Sequence, residues 1–267
     1  MLVHSVERAM FLRTLGEDAL PGPVLWLHGL GESGLCFERI VVHPRLAGWR
    51  HLVPDLPGYG RSAWPREPVG LPDLATHLAS WLAARDEAPA MVVGHSMGGV
   101  LGLLLADRHP SCVRALLNVD GNVCLDDCRY SGHAARWALD DFVAGGFDHF
   151  RDEIYQDGQS DHPLRGYYAS LRLADPRVFH RHSQDLVALS AAGDMPRRMA
   201  GLSMPARYVA GDPGGASPRS RALLQAAGIP VTSVTPAGHW PFLDQPDAFA
   251  HVLSGFLDTA AGAWTPE

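Results

Sequence analysis

The stretch Met91-Val92-Val93-Gly94-His95-Ser96-Met97-Gly98-Gly99-Val100 constrains the fold more than any other. A short β-branched apolar run leads into it, and a Leu-rich run from Val100 to Ala106 follows, continuing to Asp107-Arg108-His109-Pro110. The first run predicts a buried strand and the second a helix stopped by Pro110. Between them lies Gly-x-Ser-x-Gly. A chain that turns from strand to helix in so few residues strains its central residue, and glycines two positions either side let neighbouring backbone pass close by. The serine oxygen then stands at the top of a sheet, above a helix N-terminus whose free N–H groups can face an anion. The pattern alone recurs in many chains by chance. The strand before it and the helix after it supply the context that a nucleophile requires and a turn serine does not.

Strand and helix signals alternate along the rest of the chain. Apolar runs at 24–28, 51–55, 113–119, 206–210 and 231–234 predict short buried strands, with an early edge strand at 9–15. Helical patterns lie between them: 33–42 with Ser33 as N-cap, 71–85 with Leu74, Leu78, Trp81 and Leu82 on one stripe, 220–227, and 246–257 with Pro246 in the first turn. The alternation predicts the α/β class: a mostly parallel central sheet with helices on both faces. Residues 123–196 break the rhythm. They are rich in Asp, Arg, His and aromatics, and Trp137, Leu139, Phe142, Phe147, Phe150, Ile154 and Tyr155 recur at mixed helical spacing. This segment reads as a helical insertion, leaving 1–122 and 197–267 as the core domain.

The 267 residues, 46% of them apolar, suffice for one large domain with such an insertion. A net charge of −7 leaves no basic footprint for nucleic acid. No apolar run approaches the ~20 residues that span a bilayer. The first residues carry Glu7, Arg8 and Arg13 without an apolar h-region, which argues against a signal peptide. The four dispersed cysteines (Cys36, Cys112, Cys124 and Cys128) point to a reduced, cytoplasmic protein, with Cys124 and Cys128 read as ordinary thiols rather than a redox or metal pair. No cofactor or metal is expected, and a homodimer stays open.

On the elbow at Gly94-His95-Ser96-Met97-Gly98, the sequence resembles the α/β-hydrolase family, with Ser96 matching its nucleophile. The resemblance extends to His28-Gly29-Leu30-Gly31-Glu32-Ser33 after the 24–28 strand, to Asp55-x-Pro-Gly-x-Gly-x-Ser after the next, and to Ala237-Gly238-His239-Trp240-Pro241 after the last. It implies His239 as the base, the N–H groups of Leu30 and Met97 as the oxyanion hole, a structural His28, and residues 123–196 as a helical cap. A serine hydroxyl needs a base in hydrogen-bond reach, and His is the natural one near neutral pH. His95, in the elbow, is read as pointing away from Ser96. Asp55 precedes Ser96, the wrong order for this family, and reads as a turn former.

The third member of the triad is left between two residues. The commoner family pattern after the seventh strand is Gly-x-x-Asp, but that position is Gly214, and Asp212 sits only one residue past Gly211. Asp120 directly follows the sixth strand, where some α/β-hydrolases carry the acid. Zearalenone lactonases are similar in this respect, and their Gly-Leu-Gly-Glu loop resembles Gly29-Leu30-Gly31-Glu32. Asp120 is favoured, with Asp212 the alternative. The resemblance implies a serine hydrolase of small, fairly apolar esters or lactones. A carbon–carbon bond hydrolase of the ring-cleavage-product type and a non-catalytic hydrolase-like receptor are the rival readings, and fold alone decides none of them.

Overall fold

The structure, a computed structural model, describes residues 2–16 and 22–262. The outermost residues of the expected core, Met1 and 263–267, lie outside the described residues, as do 17–21. Eight strands form one sheet: β1 (Val3–Glu7), β2 (Met10–Leu15), β3 (Val24–Leu27), β4 (His51–Pro54), β5 (Ala90–His95), β6 (Val113–Val119), β7 (Ala206–Pro213) and β8 (Val231–Ala237). Their order is β1-β2-β4-β3-β5-β6-β7-β8. The β1–β2 and β2–β4 pairs are antiparallel and all others parallel. Every residue of β3, β4, β5 and β6 is buried, which is why these strands appear in the sequence as unbroken apolar runs rather than alternating ones.

The topology fixes where a site can lie. From β3 the chain crosses to β4 on one side and then returns to β5 on the other, so the order reverses between β3 and β5. The loops leaving their carboxyl ends diverge and open a crevice, the usual ligand position in such sheets. These are the Gly29-Leu30 loop and the Ser96 elbow.

Three local expectations are corrected. The strand expected at the edge is β2, flanked on both sides; β1 is the edge, and it was missed because Val3 and Val6, 56% and 71% exposed, give it no apolar face. The helix expected over 33–42 is a 3-10 turn, Gly34–Phe37, followed by one short helix, Glu38–Val41, and the Ser33 side chain caps neither. The Gly34 N–H donates instead to Asp55 Oδ1 at 2.8 Å, tethering this loop to the end of β4. β7 and β8 run to Pro213 and Ala237, which pair with each other beyond the apolar runs visible in the sequence.

Between β6 and β7 the described residues form helices and no strand, the longest being Phe147–Asp157, His162–Leu171 and Pro176–Ala192. Phe142, Phe147 and Phe150 are buried and each packs on Phe179, with ring centroids 6.0, 5.2 and 5.4 Å apart. This aromatic core gives the segment its own packing. Asp127 ties the start of the segment to the sheet side: its Oδ2 accepts from Val123 N (2.8 Å) and Ser220 Oγ (2.6 Å), and its Oδ1 from Ser217 N (3.1 Å).

Candidate active site

Ser96 sits at φ 52° and ψ −118°, a conformation that L residues avoid, between the end of β5 and the helix Met97–Arg108. Its N–H donates to Val119 O at 2.9 Å, fixing the elbow to the end of β6. The flanking glycines are required by close approach rather than flexibility. A Cβ on Gly98 would lie 1.9 Å from Leu27 O, and one on Gly94 would lie 2.1 Å from Gly98 O. The elbow thus rests directly on the end of β3, beside Leu30. The N–H groups of Leu30 and of Met97, the first residue of its helix, have no protein acceptor among the described residues.

Ser96, His239, Asp120 and Leu30 line one cavity of about 830 Å³. No hydrogen bond joins the serine hydroxyl, the His239 ring and the Asp120 carboxylate as they stand; such contacts are often loose before substrate binds. His239 is half-buried, and burial together with the neighbouring His95 charge pushes its pKa down to about 3. The imidazole is therefore neutral at physiological pH, the form a general base needs.

The two candidate acids lie in different surroundings. Asp120 is 3% exposed and held at φ 47°. Its Oδ2 accepts from Gly211 N at 2.9 Å and its Oδ1 from Ala216 N at 2.7 Å. Burial is the dominant influence on this carboxyl and raises its pKa to about 7, against the two backbone donors and the His95 charge. Gly215 makes room for it: a Cβ there would lie 2.5 Å from both carboxylate oxygens. A Cβ on Gly214, the commoner acid position, would lie 2.9 Å from Gly238 Cα and press on the His239 loop. Asp212 does not line the cavity. Its side chain is half exposed, accepts from Thr235 Oγ1 at 3.3 Å and faces Arg221.

Neighbouring polar residues tie the loops together. His28 Nε2 accepts from Leu56 N at 3.0 Å, so its Nδ1 donates to Gly29 O at 2.9 Å, and burial lowers its pKa. Asp55 is fully buried, accepts from Gly34 N and Arg61 N at 2.8 Å each, and pairs with Arg13. Neither lines the cavity. Glu32 and His95, in contrast, line the cavity. The Nε2 of His95 reaches His239 O at 2.8 Å. Sequence reasoning missed both roles, since nothing in the local pattern pairs residues in separate loops.

The cavity's other wall comes from Tyr130, Leu164, Tyr167 and Leu186, with Asp126, Arg129 and Asp161 also lining it. None of the seven aromatic and aliphatic residues singled out from the sequence lines it. They are committed to the segment's own packing or are exposed, as are Trp137, Leu139 and Tyr155. Among the described residues no cluster of His, Cys, Asp and Glu is arranged to hold a metal, no helix is long and apolar enough to cross a membrane, and the four cysteines are free thiols.

A serine on a strained turn at the switch point of a mostly parallel sheet is the architecture of an α/β-hydrolase. The chain belongs to the alpha/beta hydrolase family, whose model matches residues 24–252. It is 28% identical over 270 residues to the pimeloyl-[acyl-carrier protein] methyl ester esterase of Yersinia pseudotuberculosis, covering 94% of this chain and 98% of that protein. In fold it is similar to the enol-lactonase from Burkholderia xenovorans LB400, with a TM-score of 0.76 at 20% identity, covering 96% of this chain and all of that one. It is similar also to the N-acyl homoserine lactonase AidH, with a TM-score of 0.77 at 18% identity and full coverage of both chains. The protein is an enzyme of the alpha/beta hydrolase family, and the sequence relative and structural neighbours named here are an esterase and lactonases.

Proposed function

We propose that the protein cleaves a carboxylic ester or lactone of a small, fairly apolar substrate through Ser96, His239 and Asp120, by way of an acyl-enzyme. The observation that carries this reading is the strained Ser96, placed beside two unpaired backbone N–H groups in a cavity that it shares with a neutral imidazole and a buried carboxyl. His239 takes the hydroxyl proton as Ser96 Oγ attacks the carbonyl carbon, and the N–H groups of Leu30 and Met97 hold the oxyanion. The alcohol leaves with that proton. His239 then activates a water against the acyl-enzyme. Asp120, ionised, orients the imidazole and stabilises its transient positive charge.

The segment 123–196 acts in this reading as a cap, and its Leu164, Tyr167 and Leu186 give the acyl or alcohol part an apolar wall. Asp126, Asp127, Asp161 and Asp244, against the single Arg129, disfavour a strongly anionic substrate. The names of the relatives supply both an open ester and lactones, and the cavity chemistry suits either. Ser96→Ala tests the reading on short p-nitrophenyl esters and a small lactone. The variant is expected to fold and to lose turnover. Wild-type kcat/KM in the variant would remove the elbow from the mechanism, and tight binding by the parent without turnover would make it a ligand receptor.

A further inference from the structure

Glu32 and His95 form a buried hydrogen-bonded unit that the two-step mechanism above does not use. Glu32 is 3% and His95 1% exposed. Glu32 Oε2 accepts from Gly29 N at 2.6 Å and from His95 Nδ1 at 2.8 Å, and its Oε1 accepts from Trp240 Nε1 at 2.5 Å. His95 Nε2 meets His239 O at 2.8 Å. Two residues thus reach all three loops around the cavity: the one after β3 that carries Leu30, the elbow that carries Ser96, and the one after β8 that carries His239.

The protonation state follows from the partners. A carbonyl oxygen can only accept, so His95 Nε2 carries a proton. The other nitrogen faces a carboxyl oxygen, and one proton lies between them. A neutral imidazole beside a neutral carboxylic acid and an imidazolium beside a carboxylate both satisfy that bond. The remaining donors choose. Gly29 N–H and Trp240 Nε1–H both point at Glu32, and donors aimed at a carboxyl favour its ionised form. Glu32 is accordingly held down at about 2, its desolvation outweighed by the His95 charge and these bonds, and His95 is raised, its desolvation outweighed by Glu32. These partners favour the imidazolium form of His95.

We propose that Glu32 and His95 are positioning residues: a carboxylate–imidazolium clamp that holds the His239 loop and the oxyanion loop in register with Ser96, and whose fixed cation adds to burial in disfavouring a proton on the His239 ring. The proposal rests on the reading of His239 as the base. The two imidazole rings are 4.7 Å apart between centroids, and Glu32 lies on the opposite side of His95, hydrogen-bonded through Nδ1. A second proton on His239 would place two cations side by side; the repulsion from His95 is larger than the attraction from either Glu32 or Asp127, and burial, the largest influence, acts in the same direction. The other groups around His95 do not alter this sign. Asp120 faces it from the end of β6 and is itself ionised more readily because of it. Trp240 and Phe242 pack on the ring without charge. His28, one residue before Gly29, is neutral. When the substrate arrives, a base that resists protonation in the resting enzyme is also an acid that readily returns its proton to the leaving alcohol.

The test has two arms. In the ¹⁵N-histidine-labelled full chain, the ring nitrogens of His95, assigned by comparison with Glu32→Gln and His95→Gln, are expected to be both protonated at pH 7. A singly protonated, neutral ring at pH 7 would overturn the clamp. This arm does not depend on catalysis. In ester hydrolysis, both variants are expected to lose about 10–100-fold in kcat/KM, the scale of lost outer-shell partners, chiefly through kcat. The acid limb of the pH profile should move to higher pH because both His239 and Asp120 lose the nearby cation. The move should be larger in His95→Gln, where the Glu32 charge is left behind. A limb that stays where the parent has it, with only a lower melting temperature, would reduce the pair to a structural ion pair and overturn the proposal. A doubly protonated His95 together with an active Ser96→Ala would instead refute the triad and, with it, the catalytic role of the clamp.

Discussion

Asp120→Asn separates what this carboxylate does for catalysis from what it does to stability. The substitution keeps shape and volume but leaves one oxygen where there were two. Asp120 now accepts from Gly211 N at 2.9 Å and Ala216 N at 2.7 Å through different oxygens. In the variant one of these backbone donors must face an NH₂, and an orphaned buried donor costs about 1–3 kcal/mol. Removing the charge works the other way. Burial lifts the Asp120 pKa from its ordinary 3.8 to about 7, so the folded protein holds this proton more tightly than the unfolded chain. Stability therefore falls as pH rises from about 4 to about 7 and is level above, by about 4 kcal/mol in all at 1.36 kcal/mol per pH unit. Asn carries no such penalty. The variant is expected to be about 1–3 kcal/mol more stable than the parent at pH 8, with the gain vanishing near pH 5. Turnover should fall by about 10²–10⁴, since the corresponding change in a serine protease costs about 10⁴ through the wrong imidazole tautomer. Thermal melts at pH 5 and pH 8 and p-nitrophenyl ester assays measure both effects, with Asp212→Asn as the control. Near-full activity in Asp120→Asn with collapse in Asp212→Asn would reverse the assignment of the acid. A variant that loses ground to the parent between pH 5 and pH 8 would refute the burial argument.

Two further outcomes follow from the same geometry. For a neutral ester, kcat/KM of the parent should drop about tenfold per pH unit below pH ~7 as Asp120 takes up its proton, while His239, held down at about 3, stays neutral throughout; a profile flat to pH 5 would show that the carboxylate charge is not needed. Asp127→Ala removes the acceptor for Val123 N, Ser217 N and Ser220 Oγ and should destabilise the chain by about 1–3 kcal/mol, raising KM more than it lowers kcat, because it frees the segment that walls the cavity rather than the reacting groups; unchanged protease sensitivity between residues 123 and 200 would contradict this.

The sequence determined by itself what depends on neighbours along the chain. A strand, a tight turn and a helix within 91–108 are local, so the elbow was legible, and so were the apolar runs that became β3 to β6, because strands buried on both faces carry no alternation to mislead. The loop that holds His239 was legible because it is bounded by a strand and a helix. What only the tertiary structure decided involves residues brought together from far apart. Asp120 and Asp212 both follow apolar strands in the sequence, and only the fold turns one carboxylate toward Gly211 N and Ala216 N and the other toward Thr235 and Arg221. The edge strand β1 was invisible because its stability comes from pairing with β2, not from an apolar face of its own. The cavity wall of Tyr130, Tyr167 and Leu186 was not separable from the aromatics that fill the segment's core, since helical spacing says which residues share a face and not what that face meets. Glu32 and His95 lie 63 residues apart and His95 and His239 144 apart, so no local pattern couples them. A buried charge finds its partner through the packing of loops, and that packing is the property a linear pattern does not carry.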